Sequence, residues 1–245
     1  MKITTVIQAR MGSNRLPGKV LYPLGKEHKP VLQHLIERIK RAKTVDDILI
    51  VTTDEPEDNI LEVFTKRMGC KCWRGKKEFV LDNILNACIY HKVQAIVDVT
   101  ADCPLIDPKH IDVMVKKFKN FPAFTYVSNV INRSYPRGFD IQIYSPTTLL
   151  IASNEITNYV HKTHSGWNIM IREDHRKQFS FIYGKDYQDW RLCIDEEADY
   201  QLMRIIFDHF KNNKFSAGDV IKFLEKNLHL LEINKRVQQK VPGKE

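Results

Sequence analysis

Three cations and two glycines crowd one short stretch, Gln8-Ala9-Arg10-Met11-Gly12-Ser13-Asn14-Arg15-Leu16-Pro17-Gly18-Lys19. Glycine lets backbone N–H groups come close to an anion. Arginine presents a planar fork to phosphate, and lysine a point charge. A di- or triphosphate is the ligand this composition suits. The stretch matches neither a Walker loop nor the dinucleotide fingerprint of three spaced glycines. The plainer alternative is a solvated basic loop. Its position argues for function: it follows an apolar run, Ile3 to Gln8, and ligands of open α/β sheets bind at such strand ends.

Two aspartates stand in comparable places. Asp102 follows the apolar run Ala95 to Thr100 and precedes a turn, where a carboxylate can hold Mg²⁺ against nucleotide phosphates. Aspartate is also common in turns and helix caps, and at this point the two readings are even. Asp195 ends the run Trp190 to Ile194 and opens a helical pattern, so it is both a natural N-cap and a possible second metal ligand. If both bind metal, Asp102 and Asp195 flank one Mg²⁺ from two strand ends.

The elements that must place these residues alternate in type. Strands are expected at 3–8, 48–53 and 95–100, with a short one at 70–73. Helices are expected at 31–42, 57–68 (closed by Gly69), 79–91 and 108–119. That rhythm predicts an α/β fold, a single Rossmann-like domain whose mostly parallel mixed central sheet is covered by helices. After residue 122 the pattern loosens. Strands are expected at 124–128 and 139–144, a partly helical stretch at 146–172, a strand pair from 179–183 and 190–194, and helices at 196–210 and 217–230. One domain is assigned to residues 1–230 and a polar tail to 231–245, fraying from Lys235.

Composition narrows the class. With 43% hydrophobic and 28% charged residues, the 245-residue chain is ordinary globular protein. Five cysteines without a repeated CxxC spacing argue against a disulfide framework or zinc cage, and nine histidines show no HxH or HExxH. The N-terminal apolar run is too short for a signal peptide, and no segment approaches a membrane span, so a cytoplasmic location is expected. The net charge of +8 suits an anionic partner. Residues 1–45 hold ten basic and two acidic side chains, and the other 200 residues balance. No basic stripe with interleaved aromatics appears, so a nucleoside triphosphate fits better than nucleic acid.

The motifs QARMGSNRLPGKVL, TTDEPEDN, VTADCPLIDP, YPRGFDIQIYS and WRLCIDEEADYQL occur in that order. Together they resemble the spore-coat-polysaccharide-type cytidylyltransferase family, which is similar to acylneuraminate and deoxy-octulosonate cytidylyltransferases. The resemblance runs to about residue 210. It implies a nucleotide-diphospho-sugar transferase fold and Mg²⁺ dependence. It also implies CMP transfer from CTP to an acidic, nonulosonate-like sugar, a sugar phosphate or a phosphonate. Pyrophosphate would be released, and the product would serve surface-glycan synthesis. Another triphosphate (GTP, UTP or ATP) or a non-catalytic nucleotide-binding relative remains an alternative.

Residue by residue, the resemblance implies that Arg10, Gly12, Ser13, Arg15 and Lys19 grip the nucleotide, and that Ala9 and Met11 meet base and ribose through main chain. Thr100 and Asp82 fall where related enzymes approach the base. Arg137, Asp140, Gln142 and His164 fall on the acceptor side. Asp102 and Asp195 match the metal ligands, and Arg15, Lys19 and Asp102 are the expected catalytic group. Phe79 replaces a usual acidic residue, Ala101 a usual glycine, and residues 163–173 depart from the family pattern. The terminal helix, with Ile221, Phe223, Leu224, Leu228 and Leu231, is read as core or as a homodimer contact; related enzymes are often dimers, but through different segments.

Overall fold

The computed structural model describes residues 1–154, 165–171 and 175–239. Its main sheet has seven strands in the order β5-β4-β1-β6-β8-β7-β9. Four are parallel neighbours: β5 (Lys71–Gly75), β4 (Asp47–Thr53), β1 (Ile3–Gln8) and β6 (Ala95–Thr100). Then β8 (Gln142–Tyr144) runs antiparallel to both β6 and β7 (Tyr126–Ser128), and β7 pairs in parallel with β9 (Gln178–Ser180). A hairpin of β2 (Pro23–Leu24) and β3 (Lys29–Pro30) stands apart.

Helices cover both faces because the central strands are apolar on both. Ile3 and Ile7 of β1 pack on one face with α1 (Val31–Ile39) and α4 (Pro108–Asn120). Val6, between them, points to the other face and joins α3 (Val80–Tyr90) and α5 (Pro146–Asn154). On the β4–β5 side, α2 (Asn59–Arg67) ends at Gly69, whose φ of +65° suits glycine. A further cluster joins α7 (Glu197–Phe210) and α8 (Ala217–Lys226) to Leu16, Tyr135, Phe139, Leu192 and Ile194. The short α6 (Ser165–Met170) packs with α5.

One expectation needs correction. Residues 190–194 form no strand pair with 179–183: β9 pairs with β7, and the 190–194 segment makes one isolated bridge, Arg137 to Arg191. Its apolar residues are buried beneath α7 and α8 without a ladder. Residues 228–233 form a 3₁₀ helix packed on α7 and α8, and Asn234 is buried, donating to the Arg191 carbonyl at 2.9 Å and to Asp199 at 2.8 Å. The terminal helix is core along Ile221 and Leu224, whereas Leu228 is exposed.

Candidate active site

The loop after β1 folds around a single peptide. Ala9 N–H still donates to Val51, and then the Met11 carbonyl accepts from both Ser13 and Gly18 N–H at 2.8 Å. Gly18 takes φ +73°, and the 3₁₀ turn Lys19–Leu21 begins there. Lys19 thereby returns to the strand ends. Its Nζ lies 2.9 Å from Asp102 Oδ2, 2.8 Å from Asp195 Oδ1 and 2.6 Å from the Ile194 carbonyl. Burial works against its charge, but Asp102 and Asp195 outweigh it and raise the ammonium well above the ordinary lysine range.

The two aspartates are brought together by backbone. Asp102 sits in the turn after β6, and its carbonyl accepts from Ile194 N–H at 2.9 Å. Neither aspartate is spent as a helix cap: Asp107 caps α4, and Asp199 takes the backbone N–H groups of Asp195 and Glu196 at 3.0 Å. The Asp195 carboxylate faces Lys19, Arg15 (3.0 Å) and Arg191 (2.5 Å). Burial opposes its ionisation, yet these three cations hold its pKa down to about 2. Arg15 Nη1 is buried without a hydrogen-bond partner and lies 3.6 Å from the Glu196 carboxylate.

A pocket of about 510 Å³ opens over this cluster. Of the expected nucleotide residues, Ala9, Arg10, Ser13, Arg15, Lys19 and Thr100 line it. Asp102, Asp195, Arg137 and Asp140 line it as well. Asp140 is held by a two-pronged pair with Arg133, at 2.6 and 2.9 Å. Among the described residues the Arg137 side chain makes no ion pair, while its backbone is fixed against Trp190 and Leu192.

Four expected residues lie outside the lining. The Met11 side chain packs on the core, and Gly12 lies against the Glu57 carboxylate. Asp82 is exposed in the first turn of α3. The Gln142 amide oxygen accepts from the Tyr126 hydroxyl at 2.5 Å. His164 falls outside the described residues. Three residues that sequence reasoning missed join the site: Asn14, Gln239 and Arg191, whose guanidinium donates to Gln239, Asp195 and Asp199. Arg191 had a signal in its four-residue spacing from Asp195; Gln239 had none. Cys103 and Cys193 also reach the pocket, and burial beside Asp102 pushes both thiols far up, away from thiolate chemistry.

The charge excess of residues 1–45 is only partly at the pocket. Arg10, Arg15 and Lys19 face it, but Arg38 is fully buried in the core, and Lys2 and Lys29 pair with surface carboxylates. Among the described residues no helix is long and apolar enough to cross a membrane.

Comparison with known proteins bears on the family and the fold. A family model described as cytidylyltransferase matches residues 4–140, which include the loop, Asp102 and Arg137. An uncharacterized protein of Methanocaldococcus jannaschii is 32% identical over 244 residues, covering 98% of this chain and 97% of its own. The spore coat polysaccharide biosynthesis protein SpsF of Bacillus subtilis is 31% identical over 235 residues, 92% and 95% of the two chains. A solved cytidylyltransferase from Leptospira borgpetersenii superposes with a TM-score of 0.89 at 30% identity, covering 98% of this chain and 99% of that one. With a matched model spanning more than half its length, this chain belongs to the cytidylyltransferase family.

Proposed function

We propose that the protein transfers CMP from CTP to an anionic sugar and releases pyrophosphate. The observation that carries this reading is the meeting of Lys19, Asp102 and Asp195 at one point beneath a glycine-containing cationic loop. A 3-deoxy-manno-octulosonate cytidylyltransferase of Pelobacter propionicus, 36% identical over 123 residues, about half of each chain, supports an acidic sugar as acceptor.

Chemistry of this kind asks the protein for positioning and charge neutralisation. Arg10, Arg15, Ser13 and the loop N–H groups would hold the triphosphate, with the donors of Arg15 and Lys19 stabilising charge on the departing pyrophosphate. Arg137, which lines the pocket and whose side chain makes no ion pair among the described residues, would take the acceptor's carboxylate or phosphate. Asp140 would accept from acceptor hydroxyls. The attacking oxygen would be aligned with the α-phosphorus from the Arg137 side.

The donor set fits a divalent cation. Asp102 Oδ2 and Asp195 Oδ1 both lie within 3 Å of the single Lys19 Nζ, so their lone pairs converge on one cationic point. Two carboxylates with open positions suit Mg²⁺, which keeps several waters. Bound there, Mg²⁺ would act as Lewis acid and template for the α-phosphate and acceptor oxygen. Lys19 would then give up at least one carboxylate and turn to phosphate.

A pyrophosphate-release screen tests the reading: CTP, GTP, UTP and ATP, crossed with acidic sugars, sugar phosphates and phosphonates, with and without Mg²⁺. Release with CTP and an acidic sugar is expected. Asp82 is exposed and outside the pocket lining, so base selection is open and all four nucleotides belong in the screen. Release with another base would reassign the nucleotide, and no release with any pair would point to a non-catalytic relative.

A further inference from the structure

Asp58 lies outside the pocket and is completely buried. It ends the 3₁₀ turn Pro56–Asp58 that follows β4. One carboxylate oxygen accepts the Met11 N–H at 2.7 Å. The other accepts from Thr53 N–H at 3.1 Å, from the Thr52 hydroxyl at 3.0 Å and from the Thr53 hydroxyl. All these donors are neutral. The turn is itself braced: Arg74 donates to the Thr53 carbonyl at 3.0 Å and the Glu55 carbonyl at 2.9 Å.

Met11 is the peptide on which the whole loop closes, since its carbonyl takes the N–H groups of Ser13 and Gly18. Asp58 therefore holds the other side of the loop's hub to the end of β4. We propose that Asp58 is the positioning residue of the triphosphate loop, anchoring Met11 so that Arg15 and Lys19 are set before the ligand arrives. The inference rests on reading the 9–19 loop as the triphosphate site. A rigid cradle spends no binding free energy on ordering itself, and a loosened one does.

Asp58→Asn is the pointed variant. It keeps the shape, but whichever way the amide turns, its NH₂ faces either the Met11 or the Thr53 N–H. Thr52→Val removes one hydroxyl donor and serves as a milder variant if Asp58→Asn does not fold. The measurement is calorimetric titration with inorganic tripolyphosphate and with CTP, well below each protein's Tm, with thermal unfolding recorded alongside. Asp58→Asn should bind tripolyphosphate roughly tenfold or more weakly, given the strength of hydrogen bonds to charged groups. Thr52→Val should weaken it less, in the same direction. A lower Tm with unchanged tripolyphosphate affinity in the folded variants would show a merely structural role and overturn the proposal. Wild-type protein that binds tripolyphosphate but not CTP would overturn the base assignment alone, leaving Asp58 to be judged by the variant ratios. Wild-type protein that binds neither would overturn the loop reading and this inference together.

Discussion

Lys19 donates to Asp195 at 2.8 Å and, through the same nitrogen, reaches Asp102 at 2.9 Å across 83 residues of chain. The ammonium thus stands where the two carboxylates would share a divalent cation. Replacing it with methionine should act in two directions. Turnover should fall by roughly two orders of magnitude or more, as expected when a donor aimed at developing charge is removed. The nucleotide-free variant should also bind Mn²⁺ more tightly than wild type, because the competing cation is gone. Steady-state pyrophosphate release and a Mn²⁺ titration followed by electron paramagnetic resonance read the two effects. Unchanged turnover would remove the loop from the mechanism.

The depressed pKa of Asp195 fixes a pH window. Its carboxyl titrates near 2 in the folded protein and near an ordinary value of about 4 when unfolded. The ion pairs therefore contribute their full stability above about pH 4 and lose it as pH falls toward 2. Wild type should be more stable than Asp195→Asn at pH 6, and the gap should close between pH 4 and pH 2. Urea unfolding of both proteins across that range checks it. A constant gap would mean that Asp195 is not held by Lys19, Arg15 and Arg191.

Gly138 faces a steric test. Its φ is +102°, and a Cβ there would overlap the backbone carbonyl of Leu192. Arg137 makes both adjacent backbone bonds, its N–H donating to the Trp190 carbonyl at 2.9 Å and its carbonyl accepting from Leu192 N–H at 2.7 Å. Gly138→Ala should push the two segments apart and shift Asp195 with them. A lower Tm together with a loss of turnover that persists well below that Tm is expected. Wild-type behaviour on both counts would show that the contact can relax.

Arg38 tests the frame rather than the chemistry. It is fully buried, and its guanidinium donates to the carbonyls of Leu105, Ile106, Asn213 and Phe215. Burial lowers its pKa to about 10, which still leaves it charged at neutral pH. Arg38→Met would strand those carbonyls, and a loss of about 3–5 kcal/mol in unfolding free energy is expected. Denaturant titration decides. A loss below about 1 kcal/mol would mean that water replaces the guanidinium, since a satisfied carbonyl costs little.

The parts legible in the sequence are those whose signal is local. Strands β1 and β6 are readable to the residue because a central parallel strand is apolar on both faces. Arg10, Arg15, Lys19 and Asp102 are readable because they follow strand ends in contiguous motifs, and Asp195 because it falls within such a motif, although no strand precedes it. The run at 190–194 misleads because its apolar residues are buried by helices, and burial does not distinguish a ladder from an extended segment. Arg38, Asp58 and Gln239 escape for another reason. Their partners are backbone groups or distant side chains, and backbone carries no side-chain code. Asp58 looks like a turn residue until the fold lays Met11 against it.

One consequence concerns the order in which the chain is made. The cationic loop lies among the first 20 residues, whereas Asp195, the carboxylate that pairs with both Arg15 and Lys19, comes 176 residues after Lys19. During synthesis, Arg10, Arg15 and Lys19 emerge long before Asp195. Until that segment docks, Asp102 is on hand for Lys19 but Arg15 lacks its Asp195 partner, and the nascent half-protein carries a partly compensated basic tip open to a polyanion. Completion of the fold quenches the tip and confines its charge to a pocket sized for one small ligand.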